Sequence, residues 1–369
     1  MFENANKELE KLEIQNDRFI FRSTLLNKYI DTVYKHSEAN YYQIEVITFA
    51  MFGFVFGYGG LNKSSMYVAD IIDSSLGKSH NVELQNEMLL RPIFKLQEQK
   101  QIKANRDFKS DDNKSNSVKK YINIHTGRFY LAGLMQSFAT NESQMIIFDE
   151  MGDKLNRNDE LIPFVVSAYN KRTVQAPHLK SDIIIDKLEY KSKLSFIGLS
   201  STEYLGNKFE HHLKGGLFSR CLLTYNTIPR DIELLPDEYE LQSGTIKYYN
   251  DLSLQLISFA KECNRDKFIF NKTKIKAFHK ELHQQKISLK KEINDFSYLY
   301  ARIYHNLINM VHILHYIKCF EDNKWSDTID DDIINEAIEF IKQRTFKEIP
   351  KIIEYLTDEI STDKETTAQ

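Results

Sequence analysis

Cysteine is nearly missing from this sequence. Cys221, Cys263 and Cys319 are the only three in 369 residues, and three isolated thiols build neither a disulfide framework nor a zinc quartet. They fit ordinary buried positions in a reducing cytoplasm. A basic excess is lacking too: 49 Lys and Arg stand against 52 Asp and Glu, a formal net charge of −3. Any affinity for nucleic acid must therefore come from local patches. No basic-then-apolar leader is seen, because the opening MFENANKELEKLEIQND is charged throughout. Nor is there a run of the ~20 apolar residues needed to span a bilayer. The most hydrophobic stretch, VITFAMFGFVFGYGG at 46–60, is shorter and broken by glycine. The expectation is a cytoplasmic protein with no membrane association. Internal repeats are absent.

What is present is, first, helical periodicity. Leu25, Leu26, Tyr29, Ile30 and Val33 recur at three-and-four spacing and predict one apolar helix face. A second helix from Tyr41 is apolar nearly all round and is expected to be internal. The β-forming run SSMYVADII (64–72) then leads into NVELQNEMLLRPI, a helix expected to stop at Pro92. Residues 95–120 are polar and lysine-rich, GRFYLAGLMQSFATN is helical in pattern, and QMIIFDEMGD and LSFIGLSSTEYL are apolar strands. Beyond Pro236 four long helical patterns predict a C-terminal α-helical domain. The expected divisions are a helical segment at 1–60, an α/β core at 61–235, a helical domain at 236–360 and a disordered tail at 361–369.

Between the first strand and its helix lies IIDSSLGKSH (71–80), which ends like a phosphate-binding P-loop. Strand, tight loop and helix follow in the order such a loop requires. Its backbone N–H groups wrap a β-phosphate, its lysine neutralises β/γ oxygens, and its hydroxyl ligates Mg²⁺. Those roles fall here to Gly77, Lys78 and Ser79, with Ser74 a further candidate contact of the loop. The following helix would aim its N-terminus at the phosphates. The pattern's first glycine is replaced by Ile72, and Ser75 stands where another glycine is common. The isoleucine is tolerable if its φ stays negative.

About seventy residues later MIIFDE places two carboxylates at the end of an apolar strand. Asp149 is the candidate Mg²⁺ holder and Glu150 the base that orients and deprotonates an attacking water. Lys78 and Asp149 are expected to converge on adjoining parallel strands. LSFIGLSST ends in small hydroxyls, among which Ser201 is the candidate γ-phosphate sensor. GGLFSRCLL puts Arg220 at a glycine-led turn before another strand, as a candidate arginine finger reaching a neighbouring subunit.

This order of motifs, from Phe19 to Leu356, resembles the helicase-like P-loop ATPases of phage, plasmid and genomic-island primase–helicase proteins. The resemblance runs through MYVADIIDSSLGKSHNVELQNEMLLRPI, MIIFDEMGDKL, VSAYNKRTV, KLSFIGLSSTEYL, GGLFSRCLLTY and IYHNLINMVHILHYI. It implies a RecA/AAA-like P-loop NTPase core, ATP and Mg²⁺ as cofactors, and a ring, expected to be a hexamer. It further implies translocation on DNA during replication of a mobile element, with priming left to a separate polypeptide.

YNKRTVQAPHLKSDIIIDKLEYKSK (169–193) carries Lys171, Arg172, His178, Lys180 and Lys187 together with tyrosines. Cations with interleaved aromatics suit single-stranded or forked DNA, because phosphate charge and base stacking both contribute without sequence readout. The competing expectations are a non-catalytic adaptor or assembly protein derived from a P-loop fold and, third, a small-molecule kinase. His279 and His283 lie one turn apart, but Lys280 replaces the glutamate of a zinc-protease helix. His312 and His315, among apolar neighbours, are expected to be packed or hydrogen-bonded.

Overall fold

The computed structural model describes residues 18–72, 78–109, 122–126, 131–141, 143–152, 161–169, 193–201, 216–226, 238–263, 268–292, 297–300 and 302–354. Ser23 caps the first helix, α1 (Thr24–Lys35), its hydroxyl accepting from the Leu26 amide at 3.0 Å. The buried face is Leu26, Tyr29, Ile30 and Val33, with Leu25 at its margin, as the spacing predicts. Helix α2 (Tyr41–Tyr58) starts with a reciprocal cap: the Asn40 side chain accepts from the Gln43 amide, and the Gln43 side chain accepts from the Asn40 amide. Every residue from Tyr42 to Gly57 is buried, so α2 is the internal helix expected of an all-apolar stretch.

Five strands form one parallel sheet: β1 (Tyr67–Ile72), β2 (Ile124–Thr126), β3 (Ser143–Phe148), β4 (Lys193–Ser200) and β5 (Leu222–Asn226), in the order β2-β3-β4-β1-β5. All residues of β1, β3 and β4 are buried, which a parallel sheet requires when both its faces are covered. Helix α2 packs against β1, β3, β4 and β5. Gly53 permits its close passage over the chain entering β1, since a Cβ there would stand 2.0 Å from the Ser64 carbonyl oxygen. One expectation is corrected: β1 and β3 do not adjoin. β4 lies between them, pairing Val68 with Ile197 on one side and Ile147 with Ile197 on the other. Three-residue β2 has no strong strand pattern in the sequence and is recognisable only from its pairing with β3.

After β1 comes α3 (Lys78–Gln85), and here a second expectation changes. Pro92 does not end the helix. The chain passes through a π-helical turn, Asn86–Leu90, and continues as α4 (Arg91–Lys109). A proline ring collides with the carbonyl four residues back and donates no hydrogen bond; the wider π turn displaces those carbonyls and leaves them needing donors. Asn250 Nδ2 supplies them to Glu87 and Met88 at 2.7 and 3.2 Å, and Ser253 Oγ to Leu89 at 2.6 Å.

Helices α5 (Leu131–Thr140) and α6 (Leu161–Tyr169) flank β3 in sequence. The last five are α7 (Ser243–Glu262), which provides Asn250 and Ser253, then α8 (Lys272–Glu292), α9 (Ile303–Glu321), α10 (Asp331–Gln343) and α11 (345–354). They share one hydrophobic core with α1, α2 and the sheet, so buried apolar contact runs across both residue 60 and residue 236. A buried ion pair spans the same divide. Arg344 Nε and Nη2 donate to Glu45 of α2 at 3.0 and 3.1 Å, and the Phe19 amide donates to the same carboxylate at 3.0 Å. Burial nevertheless pushes the Glu45 carboxyl up to about 7. No helix of the described residues is long and apolar enough to cross a membrane.

Two stability measurements check this architecture. Ser253→Val leaves the buried Leu89 carbonyl without a donor and should cost about 1–3 kcal/mol in urea unfolding. Arg344→Met strands a buried carboxylate and should cost ~3 kcal/mol or more, most of it recovered in the Glu45→Met/Arg344→Met double variant.

Candidate functional site

In a parallel sheet all carboxyl ends meet at one edge, and five sequence candidates from three segments arrive there together. Lys78 and Ser79 begin α3 just beyond β1, Asp149 and Glu150 follow β3, and Ser201 follows β4 between them. Ser79 Oγ donates to Asp149 Oδ1 at 3.0 Å, although the two residues belong to strands separated by β4. The Ser79 and Asp149 side chains therefore meet despite the corrected strand order. Ile72 is the last residue of β1, fully buried and paired with Asn226, and its φ is not positive. The departure from the P-loop pattern therefore falls on a strand residue, where a β-branched side chain is favoured.

Glu150 is exposed and holds φ at +54°, a left-handed conformation that costs a non-glycine residue on the order of 1 kcal/mol. The turn after β3 keeps that conformation while directing two successive carboxylates to the same edge. Behind it, the Gly152 amide donates to Ser200 Oγ at 3.3 Å, which fastens the turn to β4. Ser201 is fully buried, and its Oγ has no hydrogen-bond partner among the described residues. A buried hydroxyl in that condition costs free energy unless something supplies the missing partner.

Beneath this edge lies a polar residue that the sequence reading passed over. Asp70, in the middle of β1, is fully buried. Gln43 Nε2 donates to both its oxygens at 3.2 Å, and Thr224 Oγ1 of β5 donates to Oδ1. Burial raises its pKa to about 6, against those hydrogen bonds and the positive charge of Lys78, all of which lower it. Asp70 therefore couples the helix-opening lysine to α2 and β5. The available signal was a lone carboxylate inside the apolar run MYVADII, which a strand buried on both faces must partner.

Arg220 lies elsewhere. It follows the positive-φ turn at Gly216 and precedes β5, so it sits at the amino edge of the sheet, opposite Ser79 and Asp149. Only 6% exposed, it bonds the Gly216 carbonyl and stacks over the Tyr169 ring at 5.6 Å. The exposed arginine finger expected from the sequence is, in this chain, a buried guanidinium packed on α6. Ser74, Gly77 and the DNA candidates Lys171, Arg172, His178, Lys180 and Lys187 lie outside the described residues. His312 and His315 are buried and bonded to the Ile308 and Ser326 carbonyls at 2.6 and 2.7 Å; burial lowers the pKa of both, His312 to about 4.

The Asp70 carboxyl binds its proton more tightly folded than unfolded, so its contribution to stability is complete below the ordinary value of 3.8 and is lost as pH rises through about 6. Unfolding free energy measured from pH 4 to 6.5 should show this decline superimposed on the opposite trend from the neutral buried histidines. In Asp70→Asn the net curve should tilt towards greater relative stability at the upper end by ~2 kcal/mol. The chain matches no protein-family model, and no curated protein matches it.

Proposed function

We propose that the protein is an ATP-hydrolysing motor or loader that acts on DNA, with its phosphate site at the carboxyl edge of the sheet. The observation that carries this is the 3.0 Å contact between the Ser79 hydroxyl and the Asp149 carboxylate, beside a helix that opens on Lys78. A hydroxyl and one carboxylate are a fitting donor set for Mg²⁺, which prefers oxygen ligands and takes the rest of its shell from water and phosphates. Ser79 and Asp149 would hold the ion, and its charge would offset that developing on the transferred phosphoryl group.

The chain's own residues then divide the work. Lys78 neutralises β/γ oxygens as a point charge, and the α3 N-terminus adds its dipole. Glu150 accepts a proton from the attacking water as the water oxygen bonds to the γ-phosphorus and the bond to ADP breaks. The unpartnered Ser201 hydroxyl is available to donate to a γ-phosphate oxygen. The β4 strand between β1 and β3 supports this assignment, because it leads into Ser201 at the same edge as Ser79 and Asp149. ATP turnover at subunit interfaces of a hexameric ring, and a role in replicating a mobile element, complete the proposal on the strength of the sequence resemblance.

Purified protein should hydrolyse ATP faster with single-stranded DNA than without it. Lys78→Ala and Glu150→Gln should each reduce turnover at least a hundredfold, with Glu150→Gln retaining nucleotide binding. Solution mass should jump to a closed multimer with a non-hydrolysable ATP analogue. Nucleotide binding without turnover in the unaltered protein would favour the adaptor function instead.

A further inference from the structure

At the sheet's amino edge, opposite the phosphate site, is a cavity of about 370 Å³. Its walls are the first residues of β4, the chain entering β1, the end of α6 and the start of α9. Tyr169, Tyr304 and Phe270 give it aromatic surface, Lys63 gives its rim charge, Lys193 lines it with its Nζ donating to the Gly60 carbonyl at 2.7 Å, and none of the described lining residues is acidic. The surroundings are cationic as well. Arg220 stacks on the far side of Tyr169, and Arg302 is near enough that the two guanidinium charges disfavour each other. Neither arginine has a carboxylate partner among the described residues, and Arg220 Nε, buried, has no acceptor. Cationic groups with no counter-ion of their own are costly to bury. An anion brought by a ligand would lower that cost.

Lys63 adds a second kind of observation. It is exposed at the rim with φ at +56°, so the chain holds a lysine where glycine would be easier.

We propose that this cavity takes one nucleotide of a single-stranded nucleic acid, the base against Tyr169 and Tyr304 and the phosphate towards Lys63 at the rim. The chemistry is a nucleoside phosphate, whose π-face and negative charge match the aromatic and cationic walls. The volume falls at the small end of ligand sites, about 300–1,000 Å³, enough for a single unstacked nucleotide and too small for a duplex. Asn309, anchored through its Nδ2 to the Ser65 carbonyl at 2.7 Å, leaves its side-chain oxygen as a polar contact in the wall. The proposal deepens the DNA-acting function above by giving the strand a second, separate site from ATP.

The test is fluorescence anisotropy with a labelled oligothymidylate of about twenty nucleotides, titrated without ATP at several salt concentrations, in parallel with dTMP as the free nucleotide. Lys63→Gly removes the charge and relieves the left-handed backbone, so its thermal stability should equal or exceed that of the unaltered protein. It should bind the strand more weakly, with the salt slope reduced by about one. Tyr304→Leu keeps apolar bulk and removes the stacking face, and it should lose about tenfold in affinity. Unchanged strand affinity and salt slope in a stably folded Lys63→Gly would overturn the proposal. So would dTMP binding that depends on Lys63 with no such dependence for the oligonucleotide, since the ligand would then be a free nucleotide. Cavity-dependent strand binding by a protein that never hydrolyses ATP would sink the motor function and leave this site standing.

Discussion

Helix α2 is surrounded by protein on every side, and the rest of the molecule depends on how its few polar residues find partners inside. Each does so with a different part of the chain. Gln43 reaches Asp70 of β1 and Asn226 of β5. Glu45 takes Arg344 from beyond α10 and the Phe19 amide from before α1. Thr48 donates to Gln85 at 3.1 Å, at the end of the helix that Lys78 begins. Buried polar groups are costly unless paired, so these contacts fix the sheet, helix α3 and the C-terminal helices relative to one rod. The apolar face alone would fix their distance but not their register.

That register places chemistry at both ends of one parallel sheet. At the carboxyl edge a helix N-terminus, a lysine and a hydroxyl meet the Asp149 and Glu150 turn, the arrangement on which the proposed phosphate site rests. At the amino edge arginines, lysines and tyrosines gather with no carboxylates among the cavity's lining residues. The sheet's central strands join the two directly: β1 runs from the aromatic Tyr67, beside Tyr169, through Asp70 to Ile72 at the carboxyl edge. The buried core between the two edges is stiff, so a ligand that shifts one end of β1 or β4 has a short, packed path to the other.

Much of this was legible in the residues. The Leu26–Tyr29–Ile30–Val33 stripe and the wholly apolar α2 follow from spacing, because helix periodicity acts over a few residues. The strands ending at Ile72, Phe148 and Ser200 were recognisable as apolar runs for the same reason. Pro92 misled because proline's usual effect was relieved by Asn250 and Ser253, more than 150 residues away in sequence. Asp70 was passed over because an acid in a strand says nothing about whether Gln43 and Thr224 will be there to hold it. Arg220 looked like a residue able to reach outward because a glycine turn is usually at a surface, and only packing against Tyr169 shows it turned in.

By itself the sequence determined most of the longer helices and the strands β1, β3 and β4, which of their faces would be buried, and that Lys78, Ser79, Asp149 and Glu150 would stand just beyond strand ends. These are properties of neighbours along the chain. Strand order, the insertion of β4 between the two halves of the candidate site, the partners of Asp70 and Glu45, and the cationic cavity at the opposite edge were decided only by the tertiary structure. Each is a contact between residues distant in sequence, chosen because the buried charges and hydrogen-bonding groups of a closed core must be satisfied all at once.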